Sequence, residues 1–207
     1  SCFFDIPQAA DWIMRPELST AHLDKEDRDL VYEKAMQLKP HIVYLANSSN
    51  VKVGVTRKSQ IPTRWIDQGA HEAIEIVEVP NRYLAGITEV ALKEYVADKT
   101  NWRNMLKGQN DVLDLKAAAA ELIPQISEKL TELSELFGAT AIEQLDQDVV
   151  NLDFPVSEYP SKISSFNFDK NPVVSGILQG IKGQYLILDS GVLNIRKFGG
   201  YEVNLHA

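Results

Sequence analysis

An α+β fold is expected for this 207-residue chain on three observations. Residues 41–57 hold two short Val/Ile/Tyr-rich runs around an Asn/Ser cluster, the pattern of a β-hairpin. Residues 84–98 and 111–137 carry helical periodicity. After residue 150 the spacing returns to period two, interrupted by glycine-rich turns.

From the N-terminus, residues 1–23 read as irregular, with Pro7, Pro16 and the scattered aromatics Phe3, Phe4 and Trp12. A helix is predicted from Asp24 to Leu38, capped by Asp24, with Glu26 and Asp27 in its first turn and Pro40 beyond its end. Its expected buried stripe is Leu30, Val31, the Lys34 stem, Ala35 and Leu38. Strands Ile42–Ala46 and Val51–Thr56 flank the turn Asn47–Asn50. A loop, Arg57–Pro62, leads to a helical start at Thr63-Arg64-Trp65-Ile66, which ends at Asp67-Gln68-Gly69 with glycine in the positive-φ position. Ala73–Val79 is a third strand. The helix from Leu84 to Asp98 places Ile87, Ala91 and Tyr95 on one face and Glu89 and Lys93 on another. Thr100 or Asn101 can cap the next helix.

A strongly helical run spans Asp111–Phe137, with Asp111 as cap, an alanine tract at 117–120 and Gly138 as stop. Pro124 removes a backbone donor, which predicts a kink or two consecutive helices. Ile126, Leu130, Leu133, Leu136 and Phe137 form its apolar stripe, with Glu128, Glu132 and Glu135 outward. Short strands then meet at Asp189-Ser190-Gly191, and Lys182, Arg196 and Lys197 are expected on a solvated edge. The organisation is therefore an N-terminal arm (1–40), a small α/β sandwich (41–110), an acidic helical connector (111–149) and a C-terminal antiparallel β-subdomain (150–207).

Composition narrows the function classes. The net charge is −8, but residues 111–160 hold 11 acidic and 2 basic side chains, whereas residues 41–110 hold 7 and 9. The acidity belongs to a solvated helix, and the mildly basic centre leaves a phosphate-bearing partner open. No run of 18 apolar residues and no charged-then-apolar leader occurs, so no membrane partner is expected. The single cysteine, Cys2, makes a reducing, cytoplasmic setting the default. The chain opens on Ser1 rather than Met, the expectation for a trimmed N-terminus. Oligomeric state has no signal here. No P-loop, G-x-S-x-G, H-E-x-x-H or G-x-G-x-x-G occurs. His22, His41, His71 and His206 are scattered, and Cys2 with Asp5 and His22 is at most the remainder of a zinc site.

The stretch VYLANSSNVKVGVTRKSQIPTRW resembles the opening of GIY-YIG domains, especially the phage-type subgroup, and the later ITEVAL helix resembles that family's glutamate-bearing helix. VYLANSSNVKVGVTR, RWIDQGA, DKTNWR and GIKGQYLI together resemble a bacterial family known only as a domain of unknown function, over nearly the whole chain. The GIY-YIG resemblance covers residues 41–106 and implies a small sandwich nuclease fold. It implies Tyr44 as base or water-positioner, Arg57 or Arg64 as the phosphate-gripping arginine with Lys52 beside them, and Glu89 as ligand of a divalent cation, Mg²⁺ or Mn²⁺. One carboxylate with waters and substrate phosphate is adequate for Mg²⁺, and Arg64 at a helix start can grip phosphate bidentately.

Departures are visible. The second motif reads Lys52-Val53-Gly54 and lacks its tyrosine, and the first motif's glycine position falls at or near His41. The cysteine pairs of the unknown-function family correspond here to Cys2, Asp5, Ala9, Trp12, Ser19 and His22, so zinc is not expected. On residue type alone, Tyr44 is a half-buried packing residue, Glu89 a solvated charge, and Arg57 and Arg64 partners for Asp67, Glu72 or Asp98. Trp65 and Trp102 read as core or interface anchors, with Thr100, Asn101, Trp102 and Arg103 as a secondary binding surface. The expected function is nucleic-acid processing, DNA or RNA, with Mg²⁺-dependent phosphodiester cleavage as its sharp form. The alternatives are a non-catalytic nucleic-acid or protein interaction module and an assembly domain.

Overall fold

The computed structural model describes residues 5–96, 101–108 and 113–206. Its elements are α1 (Leu30–Gln37), β1 (His41–Asn47), β2 (Val51–Arg57), α2 (Thr63–Asp67), β3 (Glu72–Val79), α3 (Arg82–Lys93), α4 (Trp102–Leu106), α5 (Leu115–Gln125), α6 (Ser127–Phe137), β4 (Glu143–Gln144), β5 (Val150–Asn151), β6 (Leu178–Lys182), β7 (Tyr185–Leu188) and β8 (Gly191–Asn194). Helices and antiparallel sheets make this an α+β protein.

The main sheet runs β2-β1-β3-β4, with β5 also on β3, all antiparallel. Every residue of β1 is buried because the strand is central and both its faces are covered. Strand alternation divides it. Val43 and Leu45 face a core closed by Leu84 and Leu92 of α3, Leu115 of α5, and Leu130 and Leu133 of α6. Ile42, Tyr44 and Ala46 face a smaller core with Trp65, Ala70 and Ala73. The acidic segment expected as a connector thus contributes apolar side chains to the main core while keeping Glu128, Glu132 and Glu135 in solvent. β5 likewise places the first residues after 149 in the main sheet rather than the C-terminal one.

Local chemistry accounts for the element ends, and it corrects several expectations. The arm helix begins at Leu30, not Asp24: Asp29 is the cap, its carboxylate accepting from Tyr32 N at 2.9 Å, and Asp24 takes a left-handed φ of 56°. Its buried face is polar, not the predicted apolar stripe. Val31 is 82% exposed, whereas the Glu33 carboxylate accepts from the backbone N–H groups of Asp27, Arg28 and Asp29. Gln37 similarly accepts from Ala21 N at 2.9 Å. These two side chains satisfy backbone donors of a segment too irregular to pair its own. In the acidic segment the cap is Asp114, bonded to Ala117 N at 2.9 Å, while Asp111 lies outside the described residues. The helix breaks at Ile126, two residues after Pro124, into two consecutive helices, and Gly138 ends the second at φ 104°. Leu136, expected in the stripe, is 68% exposed.

The small sheet β6-β7-β8 is joined to the rest through α4. Met105 and Leu106 pack with Ile187 and Val192 in a third core. The β6–β7 turn needs Gly183, which has φ 58° and lies so close to α2 that a Cβ there would be 3.2 Å from Asp67 O and 3.1 Å from Gly69 N. No helix among the described residues is long and apolar enough to cross a membrane.

Candidate functional site

The register Tyr44↔Gly54 sets the site. β2 is the edge strand, and the Tyr44 ring crosses it over Gly54. A Cβ on Gly54 would sit 2.5 Å from both Cζ and Oη of that ring. Glycine at 54 therefore lets a fully buried phenol extend its hydroxyl to the sheet edge. Trp65 meets the ring edge-on, with centroids 6.0 Å apart and planes at 67°.

Helix α2 supplies the hydroxyl's partners. Arg64 and Gln68 are one turn apart and share a face. With the Gln68 amide oriented by its network, its oxygen accepts from Nε and Nη2 of Arg64, both at 3.2 Å, and its nitrogen lies 2.9 Å from Tyr44 Oη as donor. The opposite orientation lets Tyr44 donate to Gln68 at 2.9 Å but turns an amide nitrogen toward the guanidinium, which cannot be accepted. Burial pushes the Tyr44 phenol above its ordinary value; Arg64 and the hydrogen bonds offset part of that rise, and Glu89 adds to it. Burial therefore favours the protonated phenol at Tyr44.

Helix α3 brings the carboxylate from the other layer. Asn81 caps it, accepting from Leu84 N at 2.9 Å, and the sheet-facing side carries Leu84, Ala85, Thr88 and Leu92. Glu89 does not lie on a solvated face as its spacing suggested: it is 8% exposed and ion-paired with Lys93 at 3.3 Å. Its neighbours are charged. Arg82, two turns earlier on the same helix face, feels Glu89 and Glu17 as well as Arg57 and Arg64, and its guanidinium donates to the carbonyls of Trp12 (3.1 Å) and Ile13 (2.8 Å). The arm thus crosses α3 at Gly86, where the Pro16–Glu17 backbone fills the space a side chain would need.

Arg57 stands differently. It pairs with His41 in the register, on the opposite face from Tyr44, and its Nη1 lies 3.3 Å from Met36 Sδ. His41 is fully buried and donates from Nδ1 to Lys39 O at 2.7 Å, and Nε2 has no partner among the described residues. Burial, aided by Arg82 and Arg57, lowers its pKa to about 4. Lys52 is partly buried on β2, opposite Ala46. Arg64 is thus joined to the Tyr44 hydroxyl through Gln68, whereas Glu89 stands on α3 in the other layer and Arg57 is on the far face of the strand from Tyr44.

A family model described as Protein of unknown function (DUF2797) matches residues 1–203. The chain belongs to this family. No curated protein and no solved structure matches it.

Around the Asn47 end of β1, the β1–β2 turn, the segment after α2, and α4 with β7 come together. Asn101 N donates to Ser49 Oγ at 3.0 Å, and His71 N to Asn47 O at 2.9 Å. Met105 packs on Gly69, and Trp102 stacks on Tyr185 with centroids 5.7 Å apart. Of the secondary surface, Asn101 caps α4 and Arg103 covers Trp102 at 4.4 Å, while Thr100 lies outside the described residues. Cys2 also lies outside them, and His22 is stacked on Tyr83 at 4.3 Å.

Three contributors escaped sequence reasoning. Gln68 carried a signal, its i+4 spacing from Arg64. Arg82 carried a weaker one, at the first helical position after a capping Asn. Lys182 carried none. Expected on a solvated edge with Arg196 and Lys197, it is instead fully buried, its Nζ unpartnered among the described residues and facing Phe154 (5.4 Å) and Tyr159 (5.3 Å). Burial lowers its pKa.

Proposed function

We propose that this protein processes nucleic acid, with phosphodiester hydrolysis at the β2 edge as its chemistry. The observation that carries this is the Tyr44 hydroxyl, held across Gly54 within reach of Arg64 and in the field of Glu89. A phosphodiester needs a cationic grip, a group that orients the attacking oxygen, and neutralisation of charge at the leaving oxygen. Arg64 provides a planar fork for a phosphate once Gln68 releases it. Tyr44, kept protonated by burial, donates to the water or to a phosphoryl oxygen. Water attacks phosphorus in line as the opposite P–O ester bond breaks, giving a phosphomonoester and a free hydroxyl.

Glu89 would hold the divalent cation, Mg²⁺ or Mn²⁺. Among the described residues no three His, Cys, Asp or Glu side chains gather into a metal site, so the fit is that of a single carboxylate completed by substrate phosphate and water. Such an ion supplies positive charge at the leaving oxygen. Lys93 holds the Glu89 carboxylate until a cation displaces it.

A second reading is favoured by the burial of Glu89 and the missing second-motif tyrosine: a module that binds nucleic acid without cutting it. One comparison separates the two. Cleavage of labelled single- and double-stranded DNA and RNA is assayed with Mg²⁺ or Mn²⁺ for the wild type, Glu89→Gln and Arg64→Ala. Cation-dependent cutting, lost in Glu89→Gln, supports the nuclease. Binding that Arg64→Ala weakens, with no product from any substrate, leaves the module. Absence of both binding and cutting overturns the nucleic-acid reading altogether.

A further inference from the structure

A hollow of about 460 Å³ lies between α3 and the start of α6. Helix α3 carries two apolar stripes. Leu84, Ala85 and Leu92 are buried in the main core. Ile87, Val90 and Ala91, at i, i+3 and i+4, form the second and line the hollow. Ile87 and Ala91 are half-buried at the edge of the main core, but Val90 is 43% exposed, and Tyr95 beyond the helix end is 51% exposed. A surface helix folds on one such stripe, so the second is available to a partner. From the other helix the lining takes Ile126, buried at the break before α6. The two helices run antiparallel: Tyr83 at the start of α3 lies 6.0 Å from Phe137 at the end of α6, and Glu94 shares the hollow with Glu128.

The charge of the lining has one sign in excess. It holds Glu94, Glu128 and Glu132 against one cation, Lys129, whose ammonium donates to Glu132 at 2.7 Å. Glu94 and Glu128 are exposed and make no ion pair among the described residues. The segment that supplies α6, residues 111–160, holds 11 acidic and 2 basic side chains.

We propose that this hollow docks an amphipathic helix of a partner protein, one whose apolar face is flanked by lysine or arginine. The inference stands apart from the nucleic-acid reading above. Ile87 to Glu94 spans about 10.5 Å, roughly two helical turns, the length over which a partner helix presents anchors at i, i+3 or i+4, and i+7. Its apolar anchors would cover Val90 and Tyr95, and its cations would answer Glu94 and Glu128. Charge decides among occupants. Nucleic-acid phosphates are repelled by these carboxylates, as is an acidic helix. A second copy in two-fold contact would set the same acids against one another.

The test uses the full chain, labelled with ¹⁵N, and synthetic peptides of about 18 residues, long enough to form a helix. One is an amphipathic leucine/lysine helix, one has glutamate in place of lysine, and one is a scrambled leucine/lysine sequence of equal charge. Fluorescence anisotropy gives affinity, and amide shift changes give the place. The expected result is saturable binding of the leucine/lysine helix alone, with shifts confined to residues 87–95 and 125–132. Val90→Asn and the double variant Glu94→Gln/Glu128→Gln, all at exposed positions, should each weaken it about tenfold. Asp146→Asn/Asp148→Asn removes as much charge from exposed residues outside the lining and should leave affinity unchanged. Equal weakening by that control overturns the proposal, because the peptide then reads net charge alone. Shifts elsewhere, equal binding of the glutamate or scrambled peptide, or no binding of the leucine/lysine helix also overturn it. So does a concentration-dependent change in mass abolished by Val90→Asn, which makes the hollow a contact between copies. None of these outcomes bears on nucleic-acid cleavage, so the two readings fail separately.

Discussion

Gly54 and the Tyr44 ring occupy space that a methyl group at residue 54 would deny to one of them. The ring cannot yield easily, since Trp65 packs on its edge and Gln68, itself held by Arg64, bonds its hydroxyl. Gly54→Ala should therefore cost about 1–3 kcal/mol, the range for overpacking a filled interior. Urea unfolding measures it. On the proposed nucleic-acid function, the same variant should weaken binding by more than Arg57→Ala does, because Arg57 is on the far face of the strand from Tyr44. A variant as stable as the wild type would show that the ring has room to move.

His41 sets an acid limit on stability. It is neutral in the folded protein down to about pH 4, whereas an unfolded imidazole binds a proton below about 6.5. The unfolded state thus takes up the extra proton between these values, so stability is full above pH 6.5 and falls as pH drops toward 4. The loss amounts to roughly 3 kcal/mol at 1.36 kcal/mol per pH unit. Chemical denaturation across pH 4–7 should show this slope, and His41→Asn should flatten it.

Lys182 carries the same kind of burial penalty at a group with a higher ordinary pKa. Its ammonium is out of water, with two ring faces for company, worth about 0.5–2 kcal/mol as cation–π contacts against a larger desolvation cost. Its lowered pKa means the unfolded chain holds the proton more tightly, so stability rises with pH through the window below the ordinary lysine value. Lys182→Met should be neutral or stabilising near pH 7 and should lose that rise. A clear destabilisation at pH 7, measured by thermal melting, would show that the ammonium has a favourable role.

Glu33 is the opposite case, a buried carboxylate with its partners in place. Glu33→Ala leaves the N–H groups of Asp27, Arg28 and Asp29 unpaired beneath the arm, and a cost of about 2–4 kcal/mol is expected at roughly 1–3 kcal/mol per orphaned buried group, offset by some solvent access. Hydrogen exchange at residues 27–29 should quicken selectively.

The hairpin, the third strand, Gly69 as a helix end and the division of the acidic helix near Pro124 were all legible in the chain, because each depends on neighbours within a few residues: alternation, a turn cluster, a positive φ, a missing N–H. Tyr44, Arg64 and Glu89 were legible as residue types in a familiar order. Their environments were not. Glu89 looked solvated because helical spacing alone does not tell that an arm 70 residues earlier would lie across Gly86. The arm helix looked amphipathic because nothing local reveals that Glu33 and Gln37 would be turned inward to satisfy another segment's backbone. Lys182 had an ordinary strand position, and its burial arises only when residues 154–159 fold over it. Short-range stereochemistry chooses helix, strand and turn. Which charges lose their water, and which of them end up facing one another, depends on contacts between segments far apart in the chain, and those are decided by packing.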